Sequence, residues 1–470
     1  MTISAFNHHA ALLLACSILA GCQLQPGYKK PDVRLPDQWN HQYSAQSSKN
    51  TVSDGDFYKD KNLRVIIGLS LRNNMDLKRA ALNLRKAQEL YGIERLSIIP
   101  SVTSSFSETS AHEPAGLLDT VDTGALTYHQ FDVKLVSASW ELDFWGRLRS
   151  MKDSALNNYL ATEATGRALR LSITAQTASS YLTFLADKEN LRLAEEKSAN
   201  LRQMKSMLAA AWRSGDVSQE TVLSQDKALQ LQQREVAALR ASVQKDYDVM
   251  QLLLGGDPPV RLMENIAFKD LADFPPLQPG LPSTVLQKRP DIVAAEFRMK
   301  QANADIGAAR AAFFPTISLT ASGGSASSAL GGLFSAGTAA WSFSPNITLP
   351  IFNNGRNIAN LRAAEISQQV AANDYEKVIK QAFRDISDAL AERKAASSRY
   401  EESVGLLMNR TEILKMTNLS LQAGERSRFD CLKAENSLID AKRERNADRL
   451  QLFLQDIQLY QTLGGNVNSI

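Results

Sequence analysis

The chain has 470 residues, 44% of them hydrophobic, long enough for two or three packed units. Its 53 basic and 50 acidic residues nearly cancel, and no dense basic stripe interleaves with aromatics, which excludes nucleic acid as a partner. No pair among the five histidines has metal-ligand spacing and no glycine loop leads into Lys-Ser/Thr to cradle phosphate, so no cofactor and no enzyme is expected.

The first element is an apolar run from Ala10 to Ala20, too short to span about 30 Å of hydrocarbon and therefore read as an export signal over residues 1–21. Leu19-Ala20-Gly21-Cys22 resembles a bacterial lipoprotein cleavage box, although Met1 to His9 contains no Lys or Arg. That resemblance implies cleavage before Cys22, a diacylglycerol on its thiol and an acyl chain on the new amino group. Gln23, where an aspartate would retain such a protein at the inner membrane, implies outer-membrane lipid as the destination. Residues 22–53 read as a lipidated tether, because their Pro, Ser, Gln and Asn content cannot order alone. With Cys16 lost and Cys22 acylated, Cys431 is the one ordinary thiol of the mature chain, and no intramolecular disulfide is possible.

From there the chain is duplicated. Gly146-Arg147 recurs as Gly355-Arg356, Gly215 as Gly424 and Gly255-Gly256 as Gly464-Gly465, each at an offset of 209. Between these marks lie proline-free stretches of 69 and 40 residues in each half, predicting a long helix and a return helix. At a rise of 1.5 Å per residue the longer arm reaches roughly 100 Å. We divide the chain into a first repeat over 54–255, a connection over 256–285 and a second repeat over 286–470. Val222, Leu229, Val236, Val243 and Met250 recur every seven residues as a packing seam. Cys431, the repeat partner of Val222, reads as a buried small hydrophobe.

Ahead of each long helix, Arg95 to Pro100 parallels Arg310 to Pro315 at an offset of 215. The six-residue difference falls between Pro100 and Gly146, where a surface loop would tolerate it. Each landmark leads into alternating runs, predicting hairpins over 101–141 and 316–352. Trp341, Phe343, Ile347, Leu349 and Ile351 share one face and Ser342, Ser344, Asn346 and Thr348 the other; Phe131, Val133 and Leu135 alternate with Asp132 and Lys134. Period alone favours a soluble sandwich. Export and lipidation favour outer-membrane barrel strands, with Lys134 facing the lumen. Four strands cannot close a useful barrel, so copies of the chain must combine.

Trp140 to Arg147, Phe314 to Leu319, Leu349-Pro350-Ile351-Phe352 and Arg289-Pro290-Asp291 together resemble the TolC/OprM-type outer membrane efflux ducts, in the lipoprotein branch. The resemblance spans nearly the whole mature chain. It implies a mainly α fold with a β-barrel part: a homotrimer with a twelve-stranded barrel, continued by an α-helical periplasmic cylinder. It also implies a periplasmic adaptor (membrane fusion protein) and an inner-membrane pump of the RND type. Energy and most specificity would come from that pump, so the transported compound is not legible in this chain.

Gly215 and Gly424 mark the membrane-distal turns, with Ser218 and Ser427 placed to cap the helices that follow. A plain helical turn accounts for all four residues; the resemblance adds contact with the adaptor. Relatives often carry Arg and an aromatic before the glycine, where this chain has Ala211-Trp212 and Ser420-Leu421. In relatives a leucine and an aspartate, five and nine residues after the second glycine, constrict the periplasmic end. The matching residues are Phe429 and Lys433, four apart on one helix face, and with Asp430 between them they are the aperture candidates. Lys433 is either a solvated lysine, or paired with Asp430, or an aperture residue that repels cations. Competing readings are a structural coiled-coil lipoprotein without a lumen, a type I protein-secretion duct, and the adaptor itself, which carries a single hairpin.

Overall fold

The computed structural model describes residues 23–34, 36, 39, 54–114, 125–264, 267–277, 286 and 288–465. Cys22 and the export signal lie outside them. The helices are α1 (Asp54–Phe57), α2 (Lys61–Asn73), α3 (Met75–Leu96), α4 (Arg147–Arg213), α5 (Gln219–Leu254), α6 (Val260–Glu264), α7 (Pro290–Ala311), α8 (Arg356–Gln422) and α9 (Arg428–Thr462). The strands are β1 (Thr103–Glu113), β2 (Leu126–Glu141), β3 (Thr316–Ser327) and β4 (Ala339–Thr348). Both long helices contain 67 residues, as the duplicated spacing predicts.

The repeated glycines are helix caps. Gly215, Gly255, Gly424 and Gly464 all have positive φ. At each, the next amide donates to the carbonyl five residues back: Asp216 to Ala211, Gly256 to Gln251, Glu425 to Ser420 and Gly465 to Tyr460. A left-handed residue closing orphan carbonyls is the physical reason for glycine at these offsets. Gly255 is doubly constrained, because a Cβ there would stand 2.8 Å from the Asn73 carbonyl oxygen.

Compactness cuts across the repeats. One unit comprises residues up to Pro31, Leu84–Thr162 and Ala295–Tyr375; the other comprises Asp32–Asn83, Glu163–Ala294 and Glu376–Ile470. The first holds a four-stranded antiparallel sheet in the order β1-β2-β3-β4. β2 has 16 residues and β4 has 10. The six extra residues of the first half therefore lengthen a strand rather than the surface loop expected for them. A bulge between Ser137 and Trp140, with Ser139 at φ 52°, absorbs one register step and returns Trp140 opposite Leu319.

The motif from Trp140 to Arg147 is the strand-to-helix joint of this unit. Asp143 accepts from the Leu148 and Arg149 amides, satisfying first-turn donors of α4. Arg147 pairs with Glu141 at 2.5 Å, and Trp145 stacks on Phe314 while donating to the Pro315 carbonyl at 2.8 Å.

Residues 23–34 form neither helix nor strand, yet part of this segment is docked. Gln23 donates to Asp153 at 3.0 Å, the Pro26 carbonyl accepts from Asn303 at 2.9 Å, and Lys30 meets Glu296 at 2.8 Å. A Cβ at Gly307 would stand 3.0 Å from the Gln25 Cα. Positions 296, 303 and 307 share one face of α7, so residues 23–30 are held by a surface they could not have supplied themselves.

In the second unit the core joins α1, α2, α4, α5 and α9 through Phe57, Ile66, Tyr181, Met250 and Phe453. The predicted seam is realised: Leu229, Val236 and Met250 are buried, and Val243 packs on the same core. Cys431 is fully buried, its thiol 3.7 Å from the Thr417 carbonyl.

Candidate functional site

Two regions are candidates for function: the sheet and the helical turns. In the sheet, register places Phe106 opposite Val133, and Ile317, Leu319 and Ala321 opposite Ile347, Pro345 and Phe343. From Phe106 and Val133 across to β4 this face is largely apolar yet bare, with Trp341 81% and Phe343 60% exposed, and it turns polar toward the β1–β2 tip at Glu108, Ser110, His112 and His129. The other face carries Ser105, Ser107 and Thr109 opposite Lys134, Asp132 and Gln130, and Ser318, Thr320 and Ser322 opposite Asn346, Ser344 and Ser342. The Ser322 and Ser342 hydroxyls hydrogen-bond across it at 2.8 Å. An apolar face left bare of protein asks for an apolar solvent, and the polar face asks for water. β1 and β4 are edge strands with one unpaired side each. Among the described residues no helix is long and apolar enough to cross a membrane.

At the turns, Gly215 and Gly424 adopt φ of 84° and 80° with open space where a Cβ would be. Ser218 accepts from the Thr221 amide at 3.2 Å. Ser427 and Asp430 form a reciprocal capping box: Ser427 Oγ accepts from the Asp430 amide at 3.2 Å, and Asp430 Oδ2 accepts from the Ser427 amide at 3.1 Å. The Ser427 hydrogen bonds hold the Asp430 carboxyl below the usual range. Asp430 is therefore a cap, and the pairing with Lys433 considered from sequence is not formed; Lys433 is exposed without an ion pair to it.

Phe429 is half-buried and packs against the cluster of Leu201, Met204, Leu229 and Leu432. The three aperture candidates thus differ in kind: Phe429 is a ring held by its own hairpins, Asp430 a cap, and Lys433 an exposed ammonium. Trp212 lies three residues before the first turn glycine and is exposed, a large apolar surface that the second turn lacks. Among the described residues no cluster of His, Cys, Asp and Glu is arranged to hold a metal ion.

Sequence reasoning missed a buried arginine and a half-buried pair of carboxyls. Arg449 penetrates the core of the second unit, donating to the carbonyls of Phe268, Lys269 and Leu271. Asp246 on α5 and Asp187 on α4 are neighbouring carboxyls, both raised by burial, and the Asp187 charge raises Asp246 further. Neither position departs from its neighbours in composition or period.

The profile described as outer membrane efflux protein matches residues 66–256 and 281–465. The solvent efflux pump outer membrane protein SrpC of Pseudomonas putida is 34% identical, the match covering 96% of this chain and 97% of SrpC. Outer membrane protein OprJ of Pseudomonas aeruginosa is 32% identical over 97% of this chain and 95% of its own. The open-state crystal structure of the Neisseria gonorrhoeae MtrE outer membrane channel superposes with a TM-score of 0.84 at 31% identity, covering 95% of this chain and 99% of that one.

Proposed function

This chain belongs to the outer membrane efflux protein family and is the outer-membrane channel of a tripartite efflux pump; on that premise we propose that it is a passive duct, anchored by lipid on Cys22, that receives small molecules from a periplasmic adaptor and an RND-type inner-membrane pump. The fold is that of trimeric channel-tunnels, in which four strands from each copy make a twelve-stranded barrel above a helical cylinder. The observation that carries the duct is the sheet, with a bare apolar face, a polar face and two open edges. A coiled-coil tether has no use for such a sheet.

Gly215, Ser218, Gly424 and Ser427 form the surface offered to the adaptor, their caps fixing the turn geometry against which a partner docks. The exposed Trp212 makes the first turn the stronger anchor, since aromatic side chains dominate interface energies. Imaging detergent-extracted protein by electron microscopy should show a three-fold hollow cylinder, and intact mass should include the acyl chains; a solid rod or a monomer would overturn the duct.

At the periplasmic end we place Lys433 at the aperture, beside a ring of Phe429. Lys433→Asp is then expected to raise cation selectivity in planar bilayers, because a single-sign ring in a narrow pore repels like charge. An unchanged reversal potential would remove Lys433 from the pore.

A further inference from the structure

We propose that Asp132 and Lys134 are a self-neutralising pair on the barrel wall that keeps the middle of the lumen free of net charge, so that this part of the barrel passes cargo without selecting it by sign. The proposal rests on the duct reading, in which the polar face of the sheet lines the lumen.

The register defines that face strand by strand. It carries Thr103, Ser105, Ser107 and Thr109 on β1, Gln130, Asp132 and Lys134 on β2, Ser318, Thr320 and Ser322 on β3, and Ser342, Ser344 and Asn346 on β4. Among the described strand residues its other charges stand at the two ends: Glu113, at the end of β1, and Glu141, at the end of β2, which Arg147 already neutralises. Between those ends the wall is mostly hydroxyl and amide, with Val136 and small residues such as Ala326 and Ala340 among them, and its charges are one carboxylate and one ammonium.

Those two lie two residues apart on β2, hence on the same face, with Lys134 Nζ 2.7 Å from Asp132 Oδ1. Gln130 adds two bonds, its amide donating to both carboxylate oxygens at 3.1 and 3.0 Å. The side chain of Asp132 is only 8% exposed and that of Lys134 27%, so the ammonium lies outermost over a covered carboxylate. Neighbouring strands leave room for this and offer no competing partner: Lys134 lies opposite Gly324 and Ser105, and Asp132 opposite Ala326 and Ser107. At Gly324 a Cβ would stand 2.0 Å from the Val133 carbonyl oxygen, so no side chain can grow beneath the lysine.

A trimer repeats the pair three times around the wall. Removing either member would leave three like charges in one belt, and a ring of one sign attracts its counter-ion. The screening length is about 8 Å at physiological ionic strength and about 30 Å at 0.01 M, so the belt reaches the centre of a wide lumen only in dilute salt.

The experiment measures reversal potentials in planar bilayers across a KCl gradient centred near 0.01 M. It compares the full-length wild type with Lys134→Gln, Lys134→Met, Asp132→Asn and the double variant Asp132→Asn/Lys134→Gln. Both lysine variants should shift the cation-to-anion permeability ratio upward by about twofold or more, and Asp132→Asn should shift it downward. The double variant should return to the wild-type value, which no loss of fold would produce. Single variants that conduct normally with wild-type reversal potentials would overturn the pair while leaving the duct intact. A wild-type protein that forms no pore at all would overturn the duct and this proposal with it.

Discussion

Arg449→Ala should loosen the connection between the two repeats by about 3 to 5 kcal/mol. Arg449 is 6% exposed, and its guanidinium binds three carbonyls, those of Phe268 and Lys269 at 3.2 and 3.0 Å and that of Leu271 at 2.6 Å, besides Asp273 at 3.0 Å. It also lies over the rings of Phe453 and Phe268, 5.0 and 5.9 Å from their centroids. Alanine would strand those carbonyls in a closed interior, each costing on the order of 1 kcal/mol or more, and would empty the space between two aromatics. Lysine keeps the charge but not the planar fork, so Arg449→Lys should fall between alanine and wild type. Amide hydrogen exchange over residues 267–277 reads this directly: exchange about 100-fold faster or more in the alanine variant is expected. Unchanged protection would show that the connection is held by its apolar side chains alone.

The repeat itself conceals this arginine. At the offset of 209 its partner is Arg240, whose side chain is 65% exposed and pairs with Glu195 at 2.6 Å. Sequence treats the two alike, because both are arginines on return helices; only one is covered by the connecting segment, and that segment occurs once. The same logic divides the rest of the molecule. Helix lengths were legible because left-handed caps need glycine, and glycine is visible in sequence. Strand faces were legible because alternation survives in Trp341 to Thr348. The position of the six extra residues was not, since a bulged strand and a longer loop add the same letters.

The candidate site divides in the same way. Ser218 and Ser427 were identifiable as caps by spacing alone, and the structure gives both that role. The partner of Asp430 was not: a lysine three residues on and a serine three residues back are equally plausible in sequence, and the capping box wins because it satisfies two orphan amides at once. The docking of residues 23–34 was also hidden. Its partners Asp153, Glu296 and Asn303 are ordinary helix residues, and the space that admits Gln25 is the missing side chain of Gly307.

Asp246→Asn should abolish a stability decrease that the wild type shows as pH rises from about 4 to about 6. Burial first, and the neighbouring Asp187 carboxylate second, push the Asp246 carboxyl up to about 6 from an ordinary 3.8. Burial raises Asp187 as well, so the two carboxyls titrate as a coupled pair. The folded protein therefore binds a proton more tightly than the unfolded chain. Stability from this pair is fully present below the unfolded value near 3.8, falls as pH rises through about 6, and is flat above. Asparagine supplies a permanent donor to Asp187 and removes the like-charge repulsion between α4 and α5. Hydrogen exchange over residues 183–191 and 242–250 should then be slower than wild type at pH 7.5, with the advantage shrinking as the pH falls from about 6 to about 4. Asp305 and Asp456 are also raised by burial and contribute slopes of their own, so the difference between variant and wild type, not the raw profile, isolates Asp246. Parallel profiles would mean that the two carboxyls share no proton in the assembled protein. A variant that crosses wild type in the expected sense would locate a proton-dependent joint in the first helical hairpin, well removed in sequence from the aperture candidates Phe429 and Lys433.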